Sequence, residues 1–291
     1  MKFGLLHPRA VARAFYCAQR WRLKRFLRIP DRPRSPVLDS GLEQAVDRYR
    51  RICRTLLAAL PSASSIQGSA VAEIGCGDCL AAADMMLGLG ARHVHLVEHQ
   101  AMPITELHRK ALEMSLTPDL PNRAEILSAD NRLSLNPVKA TLHTGLLENI
   151  SLPEPIDLIY SFDVLEHVED LDAFFSCCQR SLKPGGLSLH KFDLSGHEFF
   201  EDPMPPLDFQ TYPRWFYRLM FPRYRRAVGN FADLFFDLMQ KHGLEILQTT
   251  SLRQADPEYL GKIRPRLRRE AWSKSDEILS FLDLVVLAKK K

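Results

Sequence analysis

The chain has 291 residues, of which 46% are hydrophobic and 25% charged, with a formal net charge of +4 at pH 7. This length allows one large domain with a sizeable core and appendages. Because no apolar run approaches a membrane span and no signal-peptide segment is evident, we expect a soluble cytoplasmic protein, or one bound peripherally at the inner face of the membrane.

The first 36 residues form a basic arm. They hold Lys2, Lys24 and eight arginines against Asp31 alone, which leaves the rest of the chain net acidic. Apolar residues recur among these arginines at helical spacing: Val11, Ala14, Phe15, Ala18, Trp21 and Phe26. The pattern fits a helix packed over the domain, and it fits equally well a surface that binds anionic lipid or nucleic acid. A cleaved transit peptide is disfavoured because no serine precedes Ser35.

Residues 37–61 continue from a proline-rich stretch and contain a predicted helix over 42–60 that leads into the core. The main domain then runs from residue 62 to residue 291. Its first part, residues 70–98, has the pattern of a strand, a glycine turn, a helix and a second strand that ends at Glu98. A helix that starts at such a turn directs free N–H groups toward a ligand, and a terminal carboxylate suits a ribose diol. The pattern therefore predicts a nucleoside-binding βαβ unit.

The downstream pattern continues the alternation of strands and helices. Strands are predicted over 139–143, 156–161 and 187–192, after an unusually long segment between residues 100 and 139. A helix over 171–182 is expected to end at a Lys-Pro-Gly-Gly turn, residues 183–186. A helix over 231–242 and strands over 244–249 and 283–289 complete the domain.

Residues 193–230 are predicted to form an insertion above the strand ends, where α/β sheets bind ligands. Aromatic residues alternate there with arginines, without any acidic residue between 211 and 228; the arginines are Arg214, Arg218, Arg223, Arg225 and Arg226. Arginines bind phosphates or carboxylates, so an anionic substrate is one interpretation, and a solvated surface is the other.

The pattern Glu73-x-Gly75-x-Gly77 resembles motif I of class I S-adenosylmethionine (SAM)-dependent methyltransferases. Many members carry a third glycine where this chain has Cys79, and the dinucleotide pattern would require glycine at Leu80, which disfavours an NAD-linked dehydrogenase. A Val-Leu-Glu-His-Val stretch at 164–168 and the Lys-Pro-Gly-Gly turn resemble the small-molecule, type 11/type 23-like branch. The resemblance covers roughly residues 69–291. It implies an α/β, Rossmann-like, seven-stranded, mostly parallel sheet with an antiparallel edge strand, helices on both faces, and SAM as the cofactor.

The resemblance also implies roles for individual residues. The glycine turn would surround the methionine part of the cofactor, Glu98 would bind the ribose, and the loop after the third strand would border the adenine. Phe162 and Asp163 would close the pocket near the methyl group. The implied cofactor-binding residues are Glu73, Gly75, Cys76, Gly77, Glu98, Gly145, Leu146, Phe162, Asp163 and His167.

Catalytic candidates lie at the end of the fifth strand. His190, Asp193 and His197 resemble a His-x-x-Asp-x-x-x-His run of a bacterial subgroup that is often linked to sugar or cell-envelope pathways. Histidine is the side chain best matched to proton transfer at neutral pH, so His190 or His197 is a candidate base, with Asp193 orienting it or binding the acceptor. These residues, with Asp163 and with His167 early in the following helix, match no zinc spacing, and we expect no metal.

The cysteines indicate a reduced protein. Cys76 and Cys79 have C-x-x-C spacing, but Cys76 lies between the motif glycines and no second pair completes a zinc site. We therefore interpret both as small residues of a cofactor loop.

The function expected from these patterns is methyl transfer from SAM to a small molecule. The acceptor is expected to be a hydroxyl of a sugar, lipid-linked or anionic metabolite. An RNA methyltransferase is one alternative, although Ser161-Phe162-Asp163-Val164 replaces the motif common in base N-methylation, so nucleic acid is not expected as a partner. A catalytically silent scaffold is the other, and the intact glycine motif opposes it.

Overall fold

The computed structural model describes residues 41–100, 103–121, 125–128, 133–196, 205–216 and 229–291, together with nine positions between Ala12 and Leu27. The predictions made for His197, for four arginines of the insertion and for the proline-rich stretch fall outside these residues. The four arginines are Arg218, Arg223, Arg225 and Arg226.

Seven strands form one sheet in the order β3-β2-β1-β4-β5-β7-β6. Only β7 runs antiparallel to its neighbours, β5 and β6, which confirms the predicted fold class. This strand lies one position inside the edge, and β6 forms the edge itself. The strands are β1 Ala70–Ile74, β2 His93–Glu98, β3 Ala140–Thr144, β4 Ile156–Phe162, β5 Leu182–Asp193, β6 Leu244–Gln254 and β7 Phe281–Lys290.

Helices cover both faces of this sheet. They are α1 Leu42–Ala59, α2 Ala81–Gly88, α3 Glu106–Ser115, α4 Leu171–Ser181, α5 Ala232–Lys241, α6 Pro257–Ile263 and α7 Asp276–Ser280. Residues of α1, α2 and α3 pack with alternate side chains of β1 and β2, such as Val71 and Leu96, on one face. Residues of α4 and α5 pack on the other face with Ala72 and Ile74. Because both faces of β1 are buried, all of its residues except Glu73 are apolar.

The leading helix α1 belongs to the core. Tyr49 is 1% exposed and Leu56 fully buried. The Tyr49 hydroxyl donates to the backbone oxygen of Asp78 at 2.6 Å, which ties α1 to the glycine turn.

Two local predictions change in the structure. The Lys-Pro-Gly-Gly stretch is not a separate turn, because β5 begins at Leu182 and includes it with a register irregularity. Gly185 has φ 76°, and a Cβ on Gly186 would lie 2.9 Å from the Lys183 backbone oxygen, so this bulge requires glycine. His167 lies in a 3₁₀ turn, Leu165–His167, and not in the helix, which starts at Leu171.

A small second core lies beyond the strand ends. We call residues 205–216 and 255–280 the cap. Apolar side chains from both segments pack together, among them Leu207, Leu260, Leu267 and Leu279. The Tyr259 hydroxyl joins the segments, since it accepts from the Leu207 amide and donates to the neighbouring Asp208 carboxylate, each at 2.9 Å. The sequence predicted a cap over the strand ends from residues 193–230 alone. In the structure the connection between β6 and β7 also belongs to it. Within the described part of the chain, no helix is long and apolar enough to cross a membrane.

Candidate functional site

The glycine turn after β1 has the backbone that its sequence predicts. Gly75 and Gly77 have φ of +70° and +54°, a region that favours glycine. A Cβ on Gly75 would lie 2.5 Å from Val164 Cγ2, so the turn packs directly against the segment after β4. A Cβ on Gly77 would meet nothing within 4 Å, which leaves open space beside the backbone. Burial raises the pKa of the Cys76 and Cys79 thiols, so neither has a reactive thiolate.

Glu98 lies next to this turn at the end of β2. Its side chain is buried; Oε2 accepts from the Gly77 amide at 2.8 Å and Oε1 from the His99 amide at 2.9 Å. Oε1 is also hydrogen-bonded to the ring Nδ1 of the exposed His99. Oε2 therefore has one lone pair for a ligand, and Oε1 can accept from a ligand once the His99 ring turns away. The glycine turn and the Glu98 carboxylate are therefore adjacent, as the sequence predicted.

A cavity of about 340 Å³ opens between the turn, β2 and α3. Its polar boundary comes from Gly77, Asp78, Glu98 and His108, and its apolar wall from Leu80, Leu96, Pro103, Ile104, Leu133, Leu135 and Leu142. The volume falls in the range of small-molecule sites, and an apolar wall with a carboxylate at its edge suits a nucleoside.

Sequence reasoning missed the contribution of α3 and of residues 133–142 to this cavity. His108 Nδ1 caps the helix by accepting from the Thr105 amide at 3.0 Å, while its Nε2 lies 3.7 Å from Asp78 Oδ2. A threonine followed three residues later by a polar side chain was the available signal for this helix start.

Several residues implied by the resemblance lie beside the cavity and not in its lining. The Gly145 amide donates to the Glu98 backbone oxygen at 2.9 Å, which places the loop with Leu146 next to β2. Phe162 is the last residue of β4, Asp163 follows it, and His167 lies in the 3₁₀ turn after Val164.

Glu73 is almost fully buried behind the turn, where Tyr160 donates to its Oε2 at 2.9 Å. Burial raises the pKa of Glu73 to about 8, although the hydrogen bond from Tyr160 opposes the shift. At neutral pH the side chain is therefore a neutral acid. It supports the turn from inside the core.

We expect Glu73→Gln to flatten the dependence of stability on pH. The folded state keeps the Glu73 proton up to about pH 8, whereas the unfolded chain releases it above its ordinary pKa of 4.5. The wild-type free energy of unfolding should thus fall as pH rises between these values, by about 3 kcal/mol at pH 7 from this group. Urea unfolding across this range measures the effect. Glu43→Gln, at an exposed position of α1, is the control, and identical profiles for wild type and Glu73→Gln would contradict the assignment.

The ends of β4, β5 and β7 carry a network of charged side chains. Lys191 donates to Asp163 and, at 2.9 Å, to Asp283 Oδ1. Burial alone would lower the pKa of Lys191, but these two carboxylates raise it, so the Lys191 ammonium stays protonated. Asp163 has φ 54°, the one non-glycine residue with positive φ in the described segments. Such strain is typical of functional sites.

Asp193 extends this network. Its Oδ1 accepts from the Ser195 amide at 3.0 Å and lies 3.4 Å from Arg253 Nη2, and Arg253 Nε also donates to Asp283 at 2.7 Å. Three carboxylates and two cations thus meet at the carboxyl edge of the sheet, beside the turn after β4.

Glu166 is a buried carboxyl that the sequence did not single out as functional. It is 3% exposed, and neither of its oxygens has a hydrogen-bond partner in the described structure. Burial, with Asp163 and Asp193 nearby, raises its pKa well above the usual value. Glu166 thus lies near the charged network, in surroundings that favour its protonated form.

His190 lies on the side of β5 that faces α4, away from the glycine turn. It is fully buried among Phe174, Phe175 and Phe192. Its Nδ1 and Nε2 are hydrogen-bonded to the hydroxyls of Ser161 and Ser188 at 2.8 and 2.7 Å, respectively. Burial lowers the pKa of His190 to about 3. This placement favours a structural role and does not favour proton transfer to or from a ligand.

We expect His190→Ala to lower the free energy of unfolding by about 3 kcal/mol, because it leaves a cavity and two buried hydroxyls without their partner. Urea unfolding measures the loss. Cofactor affinity, measured by calorimetry at a temperature where the variant is folded, should stay within about twofold of wild type. A stable variant would contradict the structural role.

In the described segments, no three histidine, cysteine or acidic side chains are grouped to hold a metal ion. His197 lies outside these segments, so the sequence-based expectation about metal stays a prediction.

A family model described as a methyltransferase domain matches residues 45–249. No curated protein matches the sequence. The match spans β1 to β5, the glycine turn and the charged ends of β4 and β5, whereas Arg253 and Asp283 lie beyond it.

Solved structures of similar fold include three methyltransferases. One from Mesorhizobium loti is 17% identical, with 86% of this chain and 100% of that chain covered and a TM-score of 0.45. Phosphoethanolamine N-methyltransferase 2 from Haemonchus contortus is 16% identical, with 86% and 53% covered and a TM-score of 0.46. Magnesium protoporphyrin IX methyltransferase from Synechocystis PCC 6803 is 14% identical, with 97% and 99% covered and a TM-score of 0.47.

Proposed function

The chain belongs to the methyltransferase-domain family as a class I SAM-dependent methyltransferase, and from this premise we propose that it methylates a hydroxyl group of a small-molecule acceptor of sugar, lipid-linked or otherwise anionic character. The observation that carries the proposal is the arrangement of two neighbouring sites on one edge of the sheet. The nucleoside-sized cavity lies at β1 and β2, and the carboxylate network lies at β4, β5 and β7.

The residues of the first site fit SAM. The open space beside Gly77 admits the ligand close to the backbone. Glu98 Oε2 has acceptor capacity for one ribose hydroxyl, and Oε1 would accept a second in place of the exposed His99 ring. Leu96 and Leu142 offer apolar surface to a purine ring. When bound, SAM supplies an electrophilic methyl group on a sulfonium. The chain's own task is to hold this donor and the acceptor in line, which accounts for much of the acceleration in such reactions.

The second site suits an acceptor with hydroxyl groups. Asp163 Oδ1 is bonded to Lys191, while Oδ2 accepts no hydrogen bond from the described residues, and the side chain is one-third exposed. Asp163 Oδ2 would accept a hydrogen bond from the acceptor hydroxyl and draw its proton away from the attacking oxygen. Asp193 would bind a second hydroxyl, and the half-exposed Arg253 beside it would bind an anionic group.

The arm would add a peripheral membrane contact on the cytoplasmic side. Eight of the nine described positions of the arm are helical, and Leu27 is in a turn. Phe15 and Phe26 are exposed, as are Arg20 and Arg22. Exposed aromatic residues that are close in sequence to exposed basic residues suit an anionic bilayer.

An acceptor screen tests the proposed function. Purified chain is incubated with SAM carrying a labelled methyl group and with separate pools of sugar phosphates, extracted polar lipids and total RNA. We expect label in the sugar or lipid pool, and expect Asp163→Asn to reduce it while SAM binding is retained. Label in RNA alone would contradict the proposal.

A further inference from the structure

The cap carries an exposed surface that the sites described above do not use. Its residues 255–280 connect the end of β6 with the start of β7. Its other segment is tied to the chain just after β5, where the Gly196 amide donates to the Pro206 backbone oxygen at 2.8 Å. Because β6 runs parallel to β5, the cap lies at the same carboxyl edge of the sheet as the cavity and the charged network. Its outer surface is therefore presented on the side from which an acceptor would approach.

Two tryptophans dominate this surface. Trp215 is 61% exposed and Trp272 57%, although tryptophan is usually mostly buried. The Arg214–Glu270 ion pair, at 3.3 Å, joins the segments that carry them. The indole N–H of Trp272 donates inward to the Leu267 oxygen at 3.1 Å, so the exposed part of that ring is hydrocarbon. Trp215 packs edge-on against the buried Phe216 ring, which holds it in place.

The segment of the cap that leads to Trp272 is basic. Residues 257–272 contain five basic side chains against Glu258 and Glu270. Lys262, Arg264 and Arg268 lie in ion pairs with carboxylates. The other two, Arg266 and Arg269, are exposed and pair with no carboxylate of the described chain. The exposed indole rings of Trp215 and Trp272 thus share the cap surface with two arginines that have no carboxylate partner in the described chain.

We propose that the cap surface formed by Trp215, Trp272, Arg266 and Arg269 docks the protein on an anionic lipid bilayer. Tryptophan is favoured at the boundary between headgroups and acyl chains, and arginine is attracted to anionic headgroups. A symmetric dimer through this surface is disfavoured, because it would place the unpaired arginines of both copies opposite one another. Docking would hold the carboxyl edge of the sheet close to the membrane surface, where a lipid-linked acceptor lies. This contact is separate from the one proposed for residues 1–36.

Tryptophan fluorescence tests this surface by itself. The chain has three tryptophans, so the full-length Trp21→Phe variant retains only Trp215 and Trp272 as reporters. We expect phosphatidylcholine vesicles containing phosphatidylglycerol to shift the emission to the blue, and lipids with brominated acyl chains to quench it. Vesicles of phosphatidylcholine alone should do neither, and raised salt should reverse the effect.

Charge variants in the Trp21→Phe background provide the matched comparison. Arg266→Ala and Arg269→Ala should each weaken vesicle binding about fivefold. Arg51→Ala, at an exposed arginine of α1, removes the same charge elsewhere and should have little effect.

Three results would overturn the proposal. Vesicles could sediment the protein without changing the emission, which would assign binding to the arm alone. Single-stranded RNA could quench the tryptophans while vesicles do not, or the emission could shift with protein concentration, which would indicate a nucleic-acid or self-association surface. None of these readouts depends on SAM or on methyl transfer, so failure here is distinguishable from failure of the proposed function.

Discussion

Gly75→Ala should weaken SAM binding by at least about tenfold. The new Cβ would lie 2.5 Å from Val164 Cγ2, on a backbone with φ +70° that disfavours any side chain. Relief requires the turn or the segment after β4 to move, and overpacking of this kind costs about 1 to 3 kcal/mol. Because that segment also carries Asp163, both proposed sites would be disturbed. Isothermal calorimetry measures the affinity, and urea unfolding measures the accompanying loss of stability.

Gly243→Ala is the matched control for this variant. Gly243 has φ +71°, almost that of Gly75, but a Cβ there would meet nothing within 4 Å, and the residue follows α5 away from the cavity. It should lose about 1 kcal/mol of stability from backbone strain and bind SAM as wild type does. Equal affinities in Gly75→Ala and Gly243→Ala would show that the Val164 contact is irrelevant to binding.

Glu98→Ala should raise the Kd for SAM about 100-fold or more. The carboxylate would accept hydrogen bonds from both ribose hydroxyls, one at Oε2 and one at Oε1 in place of the His99 ring. Bonds to a charged acceptor are worth about 1.5 to 3 kcal/mol each. The substitution also removes the acceptor of the Gly77 amide, which lies 2.8 Å from Glu98 Oε2. Calorimetry with SAM measures the change.

Glu98→Gln separates these two causes. It keeps one oxygen for the Gly77 amide but removes the charge and one acceptor. We expect an intermediate loss of affinity with little loss of stability. Wild-type affinity in both Glu98 variants would exclude Glu98 from the cofactor site.

The βαβ unit was predictable because its signals are local. Glycines at 75 and 77 are required by positive φ, and the apolar strands on either side bring Glu98 beside them, as the 2.8 Å contact to Gly77 shows. The helix stop before residue 183 was also correct, since α4 ends at Ser181.

The surroundings of His190 and Glu73 were not predictable, because they depend on pairing between distant strands. β4 places Tyr160 opposite Glu73 on β1 and Ser161 opposite His190 on β5. Both faces of these strands are buried, so alternation along the sequence does not show which side a histidine faces. The second segment of the cap, residues 255–280, was missed for another reason. Its helices α6 and α7 are too short for a helical period, although Asp256 and Ser275 provide side-chain caps that mark their starts.

The most direct test of the account is a calorimetric titration of the intact chain with SAM. We predict saturable binding with one site per chain, and displacement by S-adenosylhomocysteine. A well-folded chain that gives no binding heat and no shift in melting temperature with SAM would contradict the cofactor site, and with it the proposal that this protein is a methyltransferase acting on a small molecule.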